Sequence, residues 1–235
     1  MNIVIPMAGL GSRFTAANYT LPKPLIDVMG KTMIERAIES LNIEGQYYFL
    51  LRRSEYLDSC IEAILRVCPS AQYRIIDEVT EGAAVSVLLF KDNINNDDEL
   101  IVANCDQIME WDSDKALVEM RMYDGAVVTI NSNDPKHSYV SIDSNNLAVC
   151  FAEKNVISDN ALTGIHYWRH GRDFVDSAEK MIANDERSHN GEFYVAPTYN
   201  GMIDEGKFIG HHLIKDNEIH FVGTPGDLEK YLASR

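Results

Sequence analysis

The sequence predicts an α/β protein, a Rossmann-like three-layer α/β/α sandwich with a mostly parallel central sheet and a small β-hairpin insertion. Two observations predict this fold. Over the first 100 residues, short β-branched or aromatic runs alternate with segments whose apolar residues recur at helical spacing, which is typical of βαβ units. Farther along, strand-like runs at 138–142 and 147–153 flank Asp143-Ser144-Asn145-Asn146, a turn sequence that predicts the hairpin.

The first half of the chain supplies the parallel strands. Ile3-Val4-Ile5 and the run 46–52 predict buried strands, because each is rich in apolar residues. The runs 72–77 and 99–104 predict two further strands. Apolar residues on one helical face predict helices in between. These helices cover 33–41, 57–65 (closed by Pro69) and the segment that Gly82 opens and that runs to Phe90.

The second half continues with strands, a helix and a capped terminal helix. Asp112 and Asp114 are interpreted as an N-cap and a first-turn acid. Thr224 and Pro225 are the N-cap and first residue expected of a last helix that extends to 234. The remaining predicted elements are strands at 125–132, 161–168, 207–214 and 219–222 and a helix at about 171–184.

Composition excludes several classes of partner. The chain has 235 residues, 46% hydrophobic and 24% charged, with no apolar run near the ~20 residues that a membrane helix needs. A formal net charge of −15 argues against nucleic acid or an anionic membrane as partner.

No secretory signal begins the sequence, and the four cysteines lack CxxC spacing, so we expect reduced thiols and a cytoplasmic location.

A glycine-rich loop follows the first strand. In Ala8-Gly9-Leu10-Gly11-Ser12-Arg13, two glycines leave main-chain N–H groups uncovered, which suits a nest that accepts phosphate oxygens. Arg13 adds a planar fork of donors, and Lys23 is held between Pro22 and Pro24. These residues together predict a binding site for a polyphosphate.

The segment AGLGSRF…PKPLIDVMGKTMIERAIESL resembles the signature of the sugar-phosphate nucleotidyltransferases. The resemblance covers nearly the whole chain and implies one domain, 1–235, with a nucleotide half over about 1–125 and an acceptor half over about 126–235. It implies that Arg13 and Lys23 hold the β- and γ-phosphates. The implied nucleotide contacts are made by Ala8, Gly9, Leu10, Gly11, Gly82 and Ala83, with the last two contacting the base through backbone atoms. The alternative for Gly82 and Ala83 is a plain helix N-terminus with small packing residues.

One acid is placed to hold a metal ion. Asp106 follows the strand 99–104, and the carboxyl ends of central parallel strands are where open α/β sheets bind ligands. A carboxylate there suits Mg²⁺, and the resembled family has a metal-binding aspartate in such a segment. Many of its members place a second acid just before the last helix, where this chain has Phe221. Asp216 and Glu218 are nearby, but we interpret them as solvated loop acids.

In the acceptor half, the resemblance assigns four residues. Lys154 would contact the phosphate of the acceptor, although a lone lysine is more often a surface charge. Thr163 and Gly164 would line the acceptor pocket, and Glu192 would bind acceptor hydroxyls, the alternative being a first-turn acid of a helix.

The resemblance implies transfer of a nucleotidyl group from an NTP to a small phosphorylated acceptor, with Mg²⁺ as cofactor and release of pyrophosphate. The product would enter nucleotide-sugar biosynthesis and, beyond it, cell-surface polysaccharide. Neither the base nor the acceptor is specified, since relatives activate phosphorylated small alcohols as well as sugars. Two alternatives stay open: a glycosyltransferase of the related nucleotide-sugar-binding fold, and a non-catalytic nucleotide sensor.

Overall fold

A nine-stranded sheet organises the protein, and the computed structural model describes all 235 residues. The strands are β1 (Asn2–Pro6), β2 (Asp27–Val28), β3 (Lys31–Thr32), β4 (Gln46–Arg52), β5 (Gln72–Ile76), β6 (Leu100–Ala103), β7 (Gln107–Met109), β8 (Gly125–Asn131), β9 (Tyr139–Ile142), β10 (Ala148–Ala152), β11 (Asn160–Trp168), β12 (Ile209–Leu213) and β13 (Ile219–Phe221). The helices are α1 (Ser12–Ala16), α2 (Met33–Leu41), α3 (Leu57–Val67), α4 (Ala83–Leu88), α5 (Lys91–Ile94), α6 (Ser113–Met120), α7 (Gly171–Ala183), α8 (Thr198–Asp204) and α9 (Pro225–Ala233).

The strand order brings the loops of both halves to one edge of the sheet. Strands β5, β4, β1 and β6 are parallel, and β11 is antiparallel to both β6 and β8. Strand β8 therefore runs in the same direction as β6, so the carboxyl ends of β1, β4, β6 and β8 meet at one edge. Ligands of open α/β sheets bind at such an edge.

The predicted hairpin extends this edge. Strands β9 and β10 pair antiparallel around a turn in which Asp143 Oδ1 accepts hydrogen bonds from the amides of Asn145 and Leu147 at 2.8 and 2.9 Å. Strand β9 joins β11 at Ala161, whereas β6 pairs with residues 165–168 of the same strand. The hairpin thus lies beyond the carboxyl end of β6, at the edge of the sheet where the parallel strands end.

Helices cover both faces of the sheet, as the sequence predicts. Helices α2, α3 and α6 bury their apolar side chains on one face, and α4, α5, α7 and α8 bury theirs on the other. The predicted N-caps are confirmed: Asp112 accepts the amide of Lys115 at 3.0 Å, and Thr224 accepts that of Asp227 at 3.2 Å. No helix in the protein is long and apolar enough to cross a bilayer.

The structure confirms the predicted fold class and adds details that the sequence pattern did not predict. The helix expected from Gly82 to Phe90 is α4, which ends at Leu88, and a separate short helix, α5, begins after Phe90. Short strands β7 and β13 pair antiparallel, with Phe221 opposite Gln107. A separate apolar cluster, which includes Phe14 of α1, Val222 and Leu228 of α9, ties the segment after β13 to the helix after the glycine loop. Three-residue strands are too short to show a period, so this pairing was not visible in the sequence.

Candidate active site

Two connected clefts lie at the carboxyl edge of the parallel strands. The larger one, of about 540 Å³, is bounded by residues of both halves of the chain, and the smaller one, of about 250 Å³, lies at the glycine loop. Pro6, Lys23, Asn104 and Asp106 line both clefts. Lys23 and Asp106 therefore stand where the two clefts meet.

The glycine loop presents unpaired amides. None of the main-chain N–H groups from Ala8 to Arg13 donates a hydrogen bond within the protein. Gly11 has φ 63°, a left-handed conformation that glycine adopts without strain, and Gly9, Leu10 and Gly11 line the smaller cleft. The side chain of Ala8 is buried in the core, so only its backbone is available. Successive free amides in such a loop form an anion-binding concavity.

Cationic groups stand beside this loop. Lys23 Nζ forms an ion pair with the Asp106 carboxylate, and Arg13 lines the larger cleft without any hydrogen-bond or ion-pair partner in the protein. Burial by itself lowers the pKa of Lys23, but the neighbouring Asp106 carboxylate more than offsets this and raises the pKa above its ordinary value. Lys23 is therefore a permanent positive charge at the junction of the clefts.

The backbone after β13 is packed against Asp106. The amide of Val222 donates to the Asp106 carbonyl at 3.0 Å, and a side chain at Gly223 would collide with the Asp106 carboxylate. Phe221 lines the larger cleft beside them. The position at which the resembled family carries its second acid is thus adjacent to Asp106, and here it carries an aromatic ring.

Lys154 faces the larger cleft from the end of the hairpin. Its Nζ lies 2.8 Å from Tyr194 Oη, 4.7 Å from the centre of the Tyr194 ring and 3.8 Å from the Glu153 carboxylate. Burial by itself lowers the pKa of Lys154. The hydrogen bond with Tyr194 and the nearby acids raise it by a larger amount, so the pKa of Lys154 lies above its ordinary value. Lys154 stays charged in the cleft that also contains Lys23.

The other predicted acceptor residues differ in their placement. Thr163 and Gly164 both line the larger cleft, but the Thr163 hydroxyl donates to the Val128 carbonyl at 3.0 Å and is fully buried. Gly164 has φ 91°, and because it has no Cβ, the side chain of Asn104 occupies the space beside it. The Glu192 side chain is exposed and lines neither cleft, and Tyr194 of the same segment lines the larger one.

The predicted base-contact residues lie at the start of α4. Ala83 lines the larger cleft. Gly82 lines neither cleft. Its Cα faces the backbone of Phe193, and a Cβ at position 82 would lie 2.6 Å from Phe193 N and 2.8 Å from Phe193 C. The Phe193 amide also donates to the Glu81 carbonyl at 2.8 Å. The glycine therefore allows the segment that contains Tyr194 to pack against the start of α4.

Several cleft residues were not singled out from the sequence. Lys136 and His137 lie in the loop after β8, so the rule that identified Asp106 also applies to them, because β8 and β6 end at the same edge. Asp227 is in the first turn of α9, where its Oδ2 accepts the Thr224 hydroxyl at 2.6 Å. His166 is on β11 and shares a face with Gly164, since side chains alternate along a strand. Only the tertiary structure shows that these residues face one cleft.

His166 forms the floor of the larger cleft. Its ring is 7% exposed and lies nearly parallel to the rings of Trp168 and Tyr199, with centroids 6.0 and 5.9 Å away. Nδ1 is buried without a hydrogen-bond partner, and burial lowers the pKa of the ring to about 3. The imidazole is therefore neutral at any physiological pH.

Comparison with known proteins identifies the family of this chain. A sequence profile described as nucleotidyl transferase matches residues 3–207, which include the glycine loop, Lys23, Asp106 and Lys154. The chain belongs to this nucleotidyl transferase family. Among curated proteins, it is 27% identical over 242 residues to the bifunctional protein GlmU of Methanocaldococcus jannaschii, covering 100% of this chain and 55% of that protein.

A second relative, the bifunctional protein GlmU of Methanococcus maripaludis strain S2, is 26% identical over 218 residues, which cover 91% of this chain and 49% of that protein. The nucleotidyl transferase chain thus spans about half the length of the curated relatives it matches.

Solved structures of this fold include a nucleoside-diphosphate-sugar pyrophosphorylase from Vibrio cholerae RC9. It superposes with a TM-score of 0.86 at 26% identity, over 98% of this chain and 99% of that one. The inositol-1-phosphate CTP transferase from T. maritima has a TM-score of 0.74 at 13% identity, over 99% and 93% of the two chains, and shows a shared fold.

Proposed function

We propose that this protein transfers a nucleotidyl group from an NTP to a small phosphorylated acceptor and releases pyrophosphate. The observation that carries the proposal is the position of Lys23 at the junction of two clefts. The smaller cleft holds the unpaired amides of the glycine loop, and the larger one holds Lys154. Such an arrangement brings two phosphate-binding groups together on a protein whose net charge is −15.

The proposed chemistry needs positioning and charge neutralisation more than covalent catalysis. An oxygen of the acceptor phosphate attacks the α-phosphorus of the NTP and forms a new P–O bond. The bond between the α-phosphorus and the β-bridging oxygen breaks, and pyrophosphate leaves with the electron pair. A phosphate dianion is already nucleophilic near neutral pH, so no general base is required. Arg13 and Lys23 would neutralise the departing pyrophosphate, and Lys154 would orient the attacking phosphate.

We further propose Mg²⁺ as the cofactor. The donor set fits a hard ion with few protein ligands: Asp106 offers a carboxylate at the junction of the clefts, and Phe221 offers none. No cluster of three or more His, Cys, Asp or Glu side chains could hold a metal by itself. Mg²⁺ commonly takes one or two carboxylates, with substrate phosphates and waters completing its shell. When bound, it would neutralise phosphate charge next to Asp106.

The acceptor we propose is a sugar 1-phosphate or the phosphate of a small alcohol. The name of the Vibrio cholerae protein refers to a nucleoside-diphosphate sugar, and that of the T. maritima protein refers to inositol 1-phosphate, the phosphate of a small alcohol. The larger cleft, about 540 Å³, has room for such a molecule beside Lys154 and Tyr194. We also propose a cytoplasmic location, since NTPs are made there and all four cysteines are free thiols.

A substrate matrix tests the function. The protein is incubated with Mg²⁺, each of ATP, CTP, GTP, UTP and dTTP, and a panel of sugar 1-phosphates and small alcohol phosphates, and pyrophosphate release is measured. We expect release with one preferred pair. Release of NDP from an NDP-sugar would instead indicate a glycosyltransferase. Binding of NTP without turnover of any pair would indicate a nucleotide sensor.

A further inference from the structure

Arg52 is the last residue of β4, next to the glycine loop. Strand β4 pairs in parallel with β1, so its carboxyl end lies beside the loop that follows β1. Arg52 lines the smaller cleft together with Gly9, Gly11 and Lys23. It therefore brings a guanidinium to the cleft in which the unpaired amides lie.

No group of the protein binds this guanidinium. The side chain of Arg52 takes part in no hydrogen bond or ion pair, and its Nε is buried without a partner. An unsatisfied buried donor is costly, more so when it is charged, and structures rarely retain one without a function. The chain has 36 acidic and 21 basic residues, so carboxylate partners are plentiful elsewhere.

The neighbouring arginine shows the ordinary arrangement. Arg53 follows the last residue of the strand, and its Nε donates to Asp77 Oδ1 at 2.7 Å on the protein surface. In the smaller cleft, Lys23 is paired with Asp106. Arg52 is thus the cationic group of this cleft that has no carboxylate partner, and it adjoins a row of amides that have no acceptor.

We propose that Arg52 binds the triphosphate of the NTP, as a third cation beside Arg13 and Lys23. This inference rests on the proposed function, because it assumes that the glycine loop receives an NTP. Guanidinium and main-chain amides converge on one cleft, and both are donors without acceptors, which is the complement of an anion rich in oxygen atoms. The planar fork of Arg52 would donate hydrogen bonds to two phosphate oxygens at once.

The test compares Arg52→Ala with the matched control Arg53→Ala by calorimetry in Mg²⁺. Two ligands are used: the NTP preferred in the substrate matrix, and inorganic tripolyphosphate, which has the phosphates without base or ribose. We expect Arg52→Ala to weaken binding of both ligands by about 10- to 100-fold, since a charge-assisted hydrogen bond is lost. Arg53→Ala should bind both as the wild type does.

Two results would overturn the inference. Unchanged affinity of Arg52→Ala for the NTP would remove Arg52 from the site. Weaker NTP binding with unchanged tripolyphosphate binding would show that Arg52 contacts the base or ribose instead. Arg52→Lys, which keeps the charge and loses the fork, should fall between wild type and Arg52→Ala, and thermal melting of each variant establishes that it is folded.

The proposed function and this inference fail in different ways. A wild-type protein that binds neither NTP nor tripolyphosphate would refute the proposed function and the inference with it. A wild-type protein that binds NTP and releases pyrophosphate, beside an Arg52→Ala variant with unchanged affinity, would refute only the inference.

Discussion

Gly223 lies against the carboxylate of Asp106, and a side chain at position 223 would occupy the space of Asp106 Oδ2. Residues more than 100 positions apart in the chain meet here because β13 pairs with β7, whose first residue directly follows Asp106. The conformation of Asp106, and with it the proposed metal position, therefore depends on a glycine in the segment between β13 and α9.

We expect Gly223→Ala to lower kcat/KM by about 10-fold or more, because displacing a charged group from its optimal position costs a large part of its effect. Gly226→Ala is the matched control, since a Cβ at Gly226, in α9, has no atom within 4 Å. Steady-state kinetics and thermal melting of both variants measure the effect. Equal activity of the two alanine variants would show that Asp106 tolerates the displacement.

Arg13→Ala and Lys23→Ala should each lower kcat/KM by about 100-fold or more while the fold remains intact, because each removes a charge that stabilises the departing pyrophosphate. Lys31→Ala serves as the control, since Lys31 pairs with Glu39 on the surface, with Nζ–Oε1 at 2.5 Å. Pyrophosphate release is the measurement. Normal turnover by either cleft variant would remove the central assignment of the site.

Lys154→Ala should raise the KM for the acceptor by about 10-fold or more and leave the calorimetric affinity for NTP nearly unchanged, because a charged hydrogen bond to the acceptor phosphate is lost. Tyr194→Phe keeps the ring and removes the hydroxyl 2.8 Å from Lys154 Nζ, so its effect should be smaller and in the same direction. A collapse of NTP affinity in Lys154→Ala would place Lys154 in the nucleotide site or the scaffold.

Metal binding should be weak without nucleotide and tighter with it, because Asp106 is the main carboxylate at the junction of the clefts. Titration of the protein with Mn²⁺, with and without NTP, measures this by its paramagnetic effect on water relaxation. Asp106→Ala should abolish activity, and Asp216→Ala, whose side chain is exposed and lines neither cleft, should not. Tight binding to the apoprotein, or an inactive Asp216 variant, would mean that a second ligand exists elsewhere.

His166 should make the fold sensitive to acid. Burial lowers its pKa from the ordinary 6.5 to about 3. The unfolded chain binds a proton below about pH 6.5 and the folded protein does not, so its contribution to stability is complete above that pH and is lost as the pH falls toward 3. Relative to His166→Phe, wild-type unfolding free energy should fall by up to about 1.4 kcal/mol per pH unit between pH 6 and 4.5. Denaturant titrations at several pH values measure it, and parallel curves for the two proteins would contradict the assignment.

Features determined within a few neighbouring residues were predictable from the sequence. The glycine loop, Lys23 between two prolines, the caps at Asp112 and Thr224, and the hairpin turn at 143–146 depend on φ angles and local hydrogen bonds, which residue types specify directly. Asp106 was predictable for a related reason: any acid that follows a central parallel strand lies at the ligand edge.

Only the tertiary structure decided which distant residues meet. Lys136, His166 and Asp227 join one cleft, and Arg52 joins the other, because strand order and the β7–β13 pairing bring separate segments together. These arrangements arise from burial of apolar surface shared by segments far apart in the chain, so the free energy that stabilises them is nonlocal. Strands of three residues are also too short to show a periodic pattern in the sequence. The sequence by itself determined the chemical groups of the site, and the packing of the sheet and its helices determined their geometry.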